Sequence, residues 1–399
     1  MASVSFRKQQ MSQALQAVYE RRTVTRSALA QLTGLSQASI ARLVNRLREQ
    51  SLIVESRAPG DSSGPGRPTD LLAINPDCGY VIGLEFGPAN LIITLVDAVG
   101  EVRAWAQEAA PPFVPADETM SALVAFIDAT LRQHGIARRQ VRTVGLALHD
   151  VVSARGEWIM WDAPDAAPYP ARQFLERTLG CPVYVEDVSR SFAEAEHRFG
   201  AGRGKSDMIY LFIGSPGIGA GIFVNDQLQR SAMGICGEIG HVIVEEDGQL
   251  CHCGNRGCLV TVANHEAVVN RFRVLVGHGV VTSLKGNEPL TFARICKASA
   301  AGDKSAYLVL SEIARCIAKA LSSAVNITGA TFILVGGQLR HAGPGFLTDL
   351  SGALRQRVIP ALARHIQVEY AALPAHAGAW GVATQALDIA WKEGRFILA

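Results

Sequence analysis

His241, Cys251, Cys253 and Cys258 fall within eighteen residues, in the run Gly237-Glu238-Ile239-Gly240-His241 followed by Cys251-x-Cys253-Gly254-x-x-Gly257-Cys258. Three thiols and an imidazole make a complete ligand set for one tetrahedral zinc ion, and four protein ligands leave no open position for water. Gly254 and Gly257 permit the sharp reversal that brings Cys253 and Cys258 to the same ion. The alternatives are a reduced cysteine cluster or disulfides. The remaining cysteines are scattered singly and no secretory segment precedes the cluster, which argues against disulfides. The expectation is one structural Zn²⁺ per chain.

The residues between the ligands are equally specific. Gly-Glu-Ile-Gly-His joined to Cys-x-Cys-Gly-Asn-Arg-Gly-Cys-Leu resembles the signature of the ROK family, which holds bacterial sugar kinases and sugar-responsive repressors. The resemblance runs from about Gly79 to the C-terminus. It implies that His241 both ligates zinc and helps position a sugar, and that Glu238 contacts sugar hydroxyls.

The same resemblance supplies a test for kinase chemistry. ROK kinases carry a DxGxT phosphate loop, a second Gly-rich loop bearing a Thr, and an Asn-Asp pair whose Asp is the base. Here the first loop reads Glu85-Phe86-Gly87-Pro88-Ala89-Asn90, with a longer acid and no hydroxyl donor at Ala89. The second, Ser215-Pro216-Gly217-Ile218-Gly219-Ala220-Gly221, keeps its glycines but has Pro216, which offers neither a hydroxyl nor an N–H to an oxyanion. The pair is Glu186-Asp187, so the base position is filled and its neighbour is changed. His149-Asp150 replace a Pro-Gly, and Val260 replaces a Glu. Gly336-Gly337, where the family seats adenosine, are kept. Phosphoryl transfer is mostly positioning and charge stabilisation, so Asp187 without those loops is a vestigial base and no enzyme activity is expected. Glu186, Asp187, Glu238 and His241 remain as the candidate effector-binding set, in the cleft between lobes where ligands commonly lie.

These residues need a scaffold. Near-continuous aliphatic runs at 80–84, 91–96, 144–148, 208–213, 218–224 and 331–335 read as strands, and 120–133 and 305–325 as helices. Alternation alone would also allow a Rossmann fold. The resemblance implies an actin-like, ribonuclease H-like α/β domain over 76–399. Its first lobe would cover about 76–188 plus a C-terminal helix, 378–399, and its second lobe about 189–377 with the zinc site.

The first seventy-five residues differ in character. Residues 1–70 hold ten Lys/Arg against five Asp/Glu, a net of +5; with +2 overall, the rest carries 2 − 5 = −3. Such asymmetry fits a nucleic-acid-binding module. Met11, Leu15 and Val18 form one helical stripe. Thr25 caps a second helix, with Leu29 and Leu32 inward and a stop at Gly34. Ser36 caps a third, with Ile40, Leu43, Val44 and Leu47 inward and Gln37, Ser39, Arg42, Asn45 and Arg46 outward. Residues 52–56 and 70–74 read as a hairpin around a loop from Pro59 to Pro68. The whole is an N-terminal winged helix-turn-helix over 1–75, whose third helix would enter the major groove. Gly66-Arg67-Pro68 resembles the wing tip of ROK repressors, where Arg67 would reach a narrow minor groove. A three-helix protein-interaction domain is the competing reading.

The 399 residues are 48% hydrophobic and 19% charged, the composition of an ordinary globular protein, and no apolar run is clean enough to span a bilayer. A cytoplasmic location is expected. The function expected is that of a DNA-binding repressor acting as a homodimer or tetramer on double-stranded DNA with an inverted repeat, modulated by a small molecule such as a sugar. Two alternatives stay open: a sugar kinase with a DNA-binding arm, and a repressor with a vestigial sugar site switched by a protein partner.

Overall fold

The computed structural model describes residues 2–57, 70–160, 167–214, 217–284 and 288–397. Met11, Leu15 and Val18 are buried along α1 (Ala2–Arg21). After a short strand, β1 (Thr23–Thr25), the Thr25 hydroxyl accepts from the Ala28 amide at 3.1 Å and caps α2 (Arg26–Thr33). Gly34 ends α2 in the left-handed region, φ 69°, which glycine adopts without steric cost. Ser36 caps α3 (Gln37–Glu49), and Ile40, Val44 and Leu47 face the core, with Leu43 half-buried. Leu32 departs from expectation and is 47% exposed. The inward stripe of α2 is centred among Leu29, Ala30 and Thr33, and at about 100° per residue Leu32 falls roughly 110° from that centre. β2 (Ile53–Arg57) and β3 (Asp70–Ile74) form the expected hairpin, and β1 extends it on the far side of β3. The loop holding Gly66, Arg67 and Pro68 lies outside the described residues.

The rest of the chain builds one topology twice. β4 (Tyr80–Phe86), β5 (Asn90–Asp97) and β6 (Val102–Ala109) form an antiparallel meander. Then follow α4 (Asp117–Gln133), β7 (Val141–Leu148), a two-residue hairpin of β8 (Val151–Val152) and β9 (Trp158–Ile159), α5 (Ala171–Leu179), β10 (Val183–Asp187) and α6 (Val188–Phe199). β7 and β10 add parallel to β4, giving the order β10-β7-β4-β5-β6.

The second sheet repeats this with β11 (Met208–Ile213), β12 (Ile218–Val224) and β13 (Gln227–Leu228) as the meander. The chain continues through α7 (Leu259–Ala263), α8 (His265–Gly277), α9 (Phe292–Ala300), α10 (Lys304–Thr328), β14 (Phe332–Val335), α11 (Pro344–Arg355), α12 (Pro360–Ala363), β15 (Gln367–Tyr370) and α13 (Ala377–Lys392). β14 and β15 run parallel to β11, in the order β13-β12-β11-β14-β15. A doubly wound Rossmann sheet is essentially parallel throughout, so the paired meanders decide for the actin-like arrangement.

The two last helices exchange lobes. α13 follows the second sheet but packs on β4, β5 and β7 of the first. α6 follows the first sheet, packs on β11 and β12 of the second, and lies against α13. Their approach is backbone-close: a Cβ on Gly381 of α13 would stand 1.8 Å from the Ser191 carbonyl oxygen of α6. On the other side of α6, a Cβ on Gly221 of β12 would stand 2.2 Å from that of Ala193.

The winged helix is not a separate body. Met11, Leu15 and Val18 share one apolar cluster with Ala386, Ala390, Trp391 and Phe396. The Tyr19 and Trp391 rings stack at 5.4 Å, and the Trp391 indole donates to the Ala98 carbonyl at 2.9 Å. The boundary near residue 75 separates sheets rather than cores. Among the described residues no helix is long and apolar enough to cross a membrane; the run from Cys316 to Val335 is divided between α10 and β14.

Gly381→Ala should destabilise the chain by about 1–3 kcal/mol through overpacking against α6. Gly352→Ala in α11, where a Cβ meets nothing within 4 Å, should be neutral or stabilising by up to about 1 kcal/mol. Urea unfolding of the two variants checks the contrast.

Candidate metal centre and ligand cleft

The loop between β13 and α7 folds back on itself through backbone pairs. Val244 donates to the Gly257 carbonyl at 2.8 Å, Cys251 to Asn255 at 2.7 Å, and Gly254 to Cys251 at 2.9 Å. Gly257, at φ 68°, lies so close to Glu245 that a Cβ would meet its carbonyl oxygen at 1.5 Å. This fold-back gathers the four candidate ligands: one ligand atom each from His241, Cys251, Cys253 and Cys258 lie within 4.8 Å of one another. The Cys253 and Cys258 sulfurs are 3.7 Å apart, and Cys251 Sγ is 3.7 Å from His241 Nδ1. A tetrahedral ion with metal–sulfur bonds of about 2.3 Å has sulfur–sulfur edges of about 3.8 Å, so the donor set fits one ion. The eight cysteines stand unbonded to one another, and the 3.7 Å between the Cys253 and Cys258 sulfurs is well beyond a disulfide bond of about 2.05 Å. His252, which the spacing argument passed over, stands edge-on to His241 at 5.4 Å.

His241 also lines a cavity of about 370 Å³ between the lobes, together with Asp187, Glu238, Asp150, His149 and Val260. Phe113, Trp158 and Phe212 form its apolar wall. Asp187 stands at the junction of β10 and α6 and has a second duty. Its Oδ1 accepts from the Ser189 and Arg190 amides at 2.8 and 3.1 Å, capping α6. Asp150 is oriented by the Val151 amide at 2.8 Å and the Trp158 indole at 2.7 Å. Burial, reinforced by the nearby Asp187 charge, pushes the Glu238 carboxyl up to about 7. Burial likewise raises Asp187.

Glu186 is placed elsewhere. Its side chain is buried behind the cleft, not among the cavity-lining residues, and meets Arg190 at 2.6 Å, Arg230 at 3.0 Å and the Tyr184 hydroxyl at 2.7 Å. Burial alone would raise its pKa, but the two guanidiniums outweigh it and hold the carboxyl below its ordinary value. Direct ligand contact through Glu186 is therefore withdrawn: a strand-end acid with an arginine four residues on is an ion pair first. Arg190 stands at pairing distance from Glu186 only once the segment after β10 is helical, and Arg230, 44 positions away, carries no local signal. Arg190 matters further, since its Nη1 donates to the Cys236 carbonyl at 2.7 Å, just before Glu238.

Of the two loops that resemble kinase phosphate loops, the second lines the cavity between the lobes through Gly217, Ile218 and Gly219, while the first lines a second cavity of about 380 Å³ through Glu85, Gly87, Pro88, Ala89 and Asn90. Glu85 is buried there, with Oε1 3.0 Å from His149 Nε2, and the His149 ring stands edge-on to Phe212 at 5.4 Å. His149 and Phe212 line both cavities and separate them. The surviving glycines have structural uses: Gly219 and Gly221 admit α6 against β12, and a Cβ on Gly336 would meet the Tyr210 hydroxyl at 1.9 Å. Ser215 and Pro216 lie outside the described residues.

On the winged helix, Gln37, Arg42, Asn45 and Arg46 are exposed along α3 and Ser39 is half-buried. Arg26 and Arg48 are neutralised by Glu55 of β2, at 2.5 and 3.0 Å. Among the described residues no carboxylate pairs with Arg42 or Arg46.

The ROK family model matches residues 81–389, and a MarR family model matches residues 10–62. The chain belongs to the ROK family. It is 27% identical over 366 residues to the xylose repressor of Caldicellulosiruptor bescii, covering 90% of each chain. Its fold superposes with a TM-score of 0.81 on a crystal structure of a ROK family transcriptional regulator, a homologue of the E. coli Mlc protein, over 98% of both chains at 22% identity. A ROK glucokinase from Streptomyces griseus, solved with glucose and AMPPNP, matches 77% of this chain and 99% of its own, at TM-score 0.66 and 28% identity.

The raised Glu238 pKa carries a pH signature. The folded chain binds that proton more tightly than the unfolded chain, so the resulting stability is present at low pH and lost as pH rises through about 7. Glu238→Gln should melt above the wild type at about pH 8, with the advantage disappearing toward pH 5. Differential scanning fluorimetry across this range checks the sign.

Proposed function

We propose that this chain is a DNA-binding transcriptional repressor of the ROK family whose operator affinity is set by a sugar or sugar derivative held between its lobes. The observation that carries the reading is the face of α3. Gln37, Ser39, Arg42, Asn45 and Arg46 stand on its outer side, and Arg26 and Arg48 are spent on Glu55. Exposed Arg, Asn and Gln on a recognition helix suit bidentate readout of guanine and adenine edges. Arg67 supplies a minor-groove contact from the wing. A homodimer, alone or within a tetramer, binds an inverted repeat in the cytoplasm, with half-sites about 10.5 base pairs apart or a multiple of it.

The effector lies against Asp187, Glu238 and His241, whose acceptors suit paired hydroxyls. His241, Cys251, Cys253 and Cys258 hold one structural zinc ion. Its closed shell stabilises the loop that carries Glu238 and leaves no site for metal catalysis. Phosphoryl transfer is absent from this reading: His149 and Phe212 stand between the two cavities, and the buried Glu85 carboxylate on the second cavity would repel a polyphosphate.

Arg42→Ala should weaken operator binding by about 1–3 kcal/mol, measured by fluorescence anisotropy on a duplex enriched from a random library; unchanged affinity removes Arg42 from the interface. Elemental analysis should find one zinc per wild-type chain and less in Cys251→Ser, with the second lobe melting earlier. The name of the C. bescii relative puts D-xylose first in a sugar panel and the glucokinase puts D-glucose second. Glu238→Ala should abolish the melting shift that the active sugar gives.

A further inference from the structure

The cleft and the winged helix sit at opposite ends of α6. Its first turn belongs to the cleft: Asp187 caps it, and Arg190 reaches the Cys236 carbonyl beside Glu238. The helix is 12 residues long, so its last turn is about 18 Å away along the axis. There the Arg198 guanidinium, braced by Glu194 one turn back, pairs with Asp388 of α13. The same carboxylate accepts from the hydroxyl of Tyr19, in α1 of the winged helix, at 2.8 Å. Second-lobe-packed helix, first-lobe-packed helix and DNA-binding domain thus meet at one carboxylate.

The contact is built to hold one geometry. Tyr19 is fixed twice, by its hydroxyl and by its ring stacked on Trp391. Burial and the Asp388 charge raise its pKa, so the phenol keeps its proton and donates. Arg198 and Asp388 side chains are 34% and 22% exposed, shielded enough that water competes weakly. Beside them, Arg22 Nη1 donates to the Val99 carbonyl at 2.6 Å, a further tie from the end of α1 to the first lobe.

Building on the sugar-cleft reading, we propose that Arg198, Asp388 and Tyr19 are the coupling residues that convert occupancy of the cleft into a change in the setting of the winged helix. A ligand shifts DNA affinity only through an element with two arrangements that both sites bias. The α6–α13 contact is that element. A polyol engaging Asp187 and Glu238 draws the lobes together, α6 moves with the second sheet across α13, and Arg198 shifts on Asp388. Asp388 then holds Tyr19 differently, and α1 carries the change into α2 and α3.

The test uses the full-length zinc-loaded chain, D-xylose and D-glucose as probes, and the enriched operator duplex. Tyr19→Phe keeps the ring on Trp391 and removes only the hydroxyl; Asp388→Asn keeps the shape and removes the charge. Both should bind the active sugar as the wild type does by calorimetry. The sugar's effect on operator affinity, roughly 5–150-fold in the wild type, should fall to about one-fold. Full retention of the effect in both variants overturns the proposal.

If neither sugar binds the wild type, the effector reading has failed and the coupling is read without ligand. Asp187→Ala removes the side-chain cap of α6. It should alter hydrogen exchange of amides 11–21 in the wild-type background and not in Tyr19→Phe. An equal change in both backgrounds, or none in either, overturns the coupling.

Discussion

The backbone-close contact between α6 and α13 is the constraint on which the rest of the structure depends. Each helix leaves one sheet and packs on the other, so the lobes are tied by exchanged elements rather than by a linker. Gly381 permits the contact, and Gly221 lets α6 settle on β12 from the other side. A core packed this tightly has discrete arrangements rather than a continuum, which is what a switch needs. The winged helix then docks on the outer face of α13 through Tyr19, Trp391 and Phe396, so movement at the helix pair bears on the DNA-binding end.

The cleft shows how changed residues are accommodated. A glutamate at position 186 would be an isolated buried charge, and burying a charge is costly unless it is paired. Arg190 and Arg230 pair it, and Arg190 then spends another donor on the Cys236 carbonyl. The result is a clasp from the end of β10 to the loop that carries Glu238. The backbone pairs of the loop that gathers the four candidate ligands brace the same segment from the other side. Glu238 is therefore held between two rigid supports, with its raised pKa the electrostatic consequence of burial beside Asp187.

In the two Gly-rich loops, Gly87 lies against the His149 ring and Gly219 and Gly221 lie against α6, so these three glycines have packing uses that need no phosphate, whereas a Cβ on Gly217 would meet nothing within 4 Å. His149 and Phe212 stand between the cavities, and Glu85, on the side of the second, meets the His149 imidazole. Gly-rich spacing is thus weak evidence for nucleotide binding once donors such as Ala89 have lost their hydroxyls.

Much of this was legible in the residues themselves. The cysteine and histidine spacing located the cluster of candidate ligands because the loop that gathers them is short. The caps at Thr25 and Ser36, the stripe of α3 and most strands followed from periodicity, which needs no distant partner. Leu32 was misplaced because a two-turn helix has too few positions to define its inward face. The fates of Glu186 and Asp187 were not legible: one turned to Arg190 and Arg230, the other became a helix cap, and both outcomes depend on where β10 ends. Nor could the sequence show that α6 and α13 exchange lobes, or that Tyr19, Arg198 and Asp388 converge from positions hundreds of residues apart. Such contacts are set by the packing of two sheets with the same topology, and only the tertiary structure decides them.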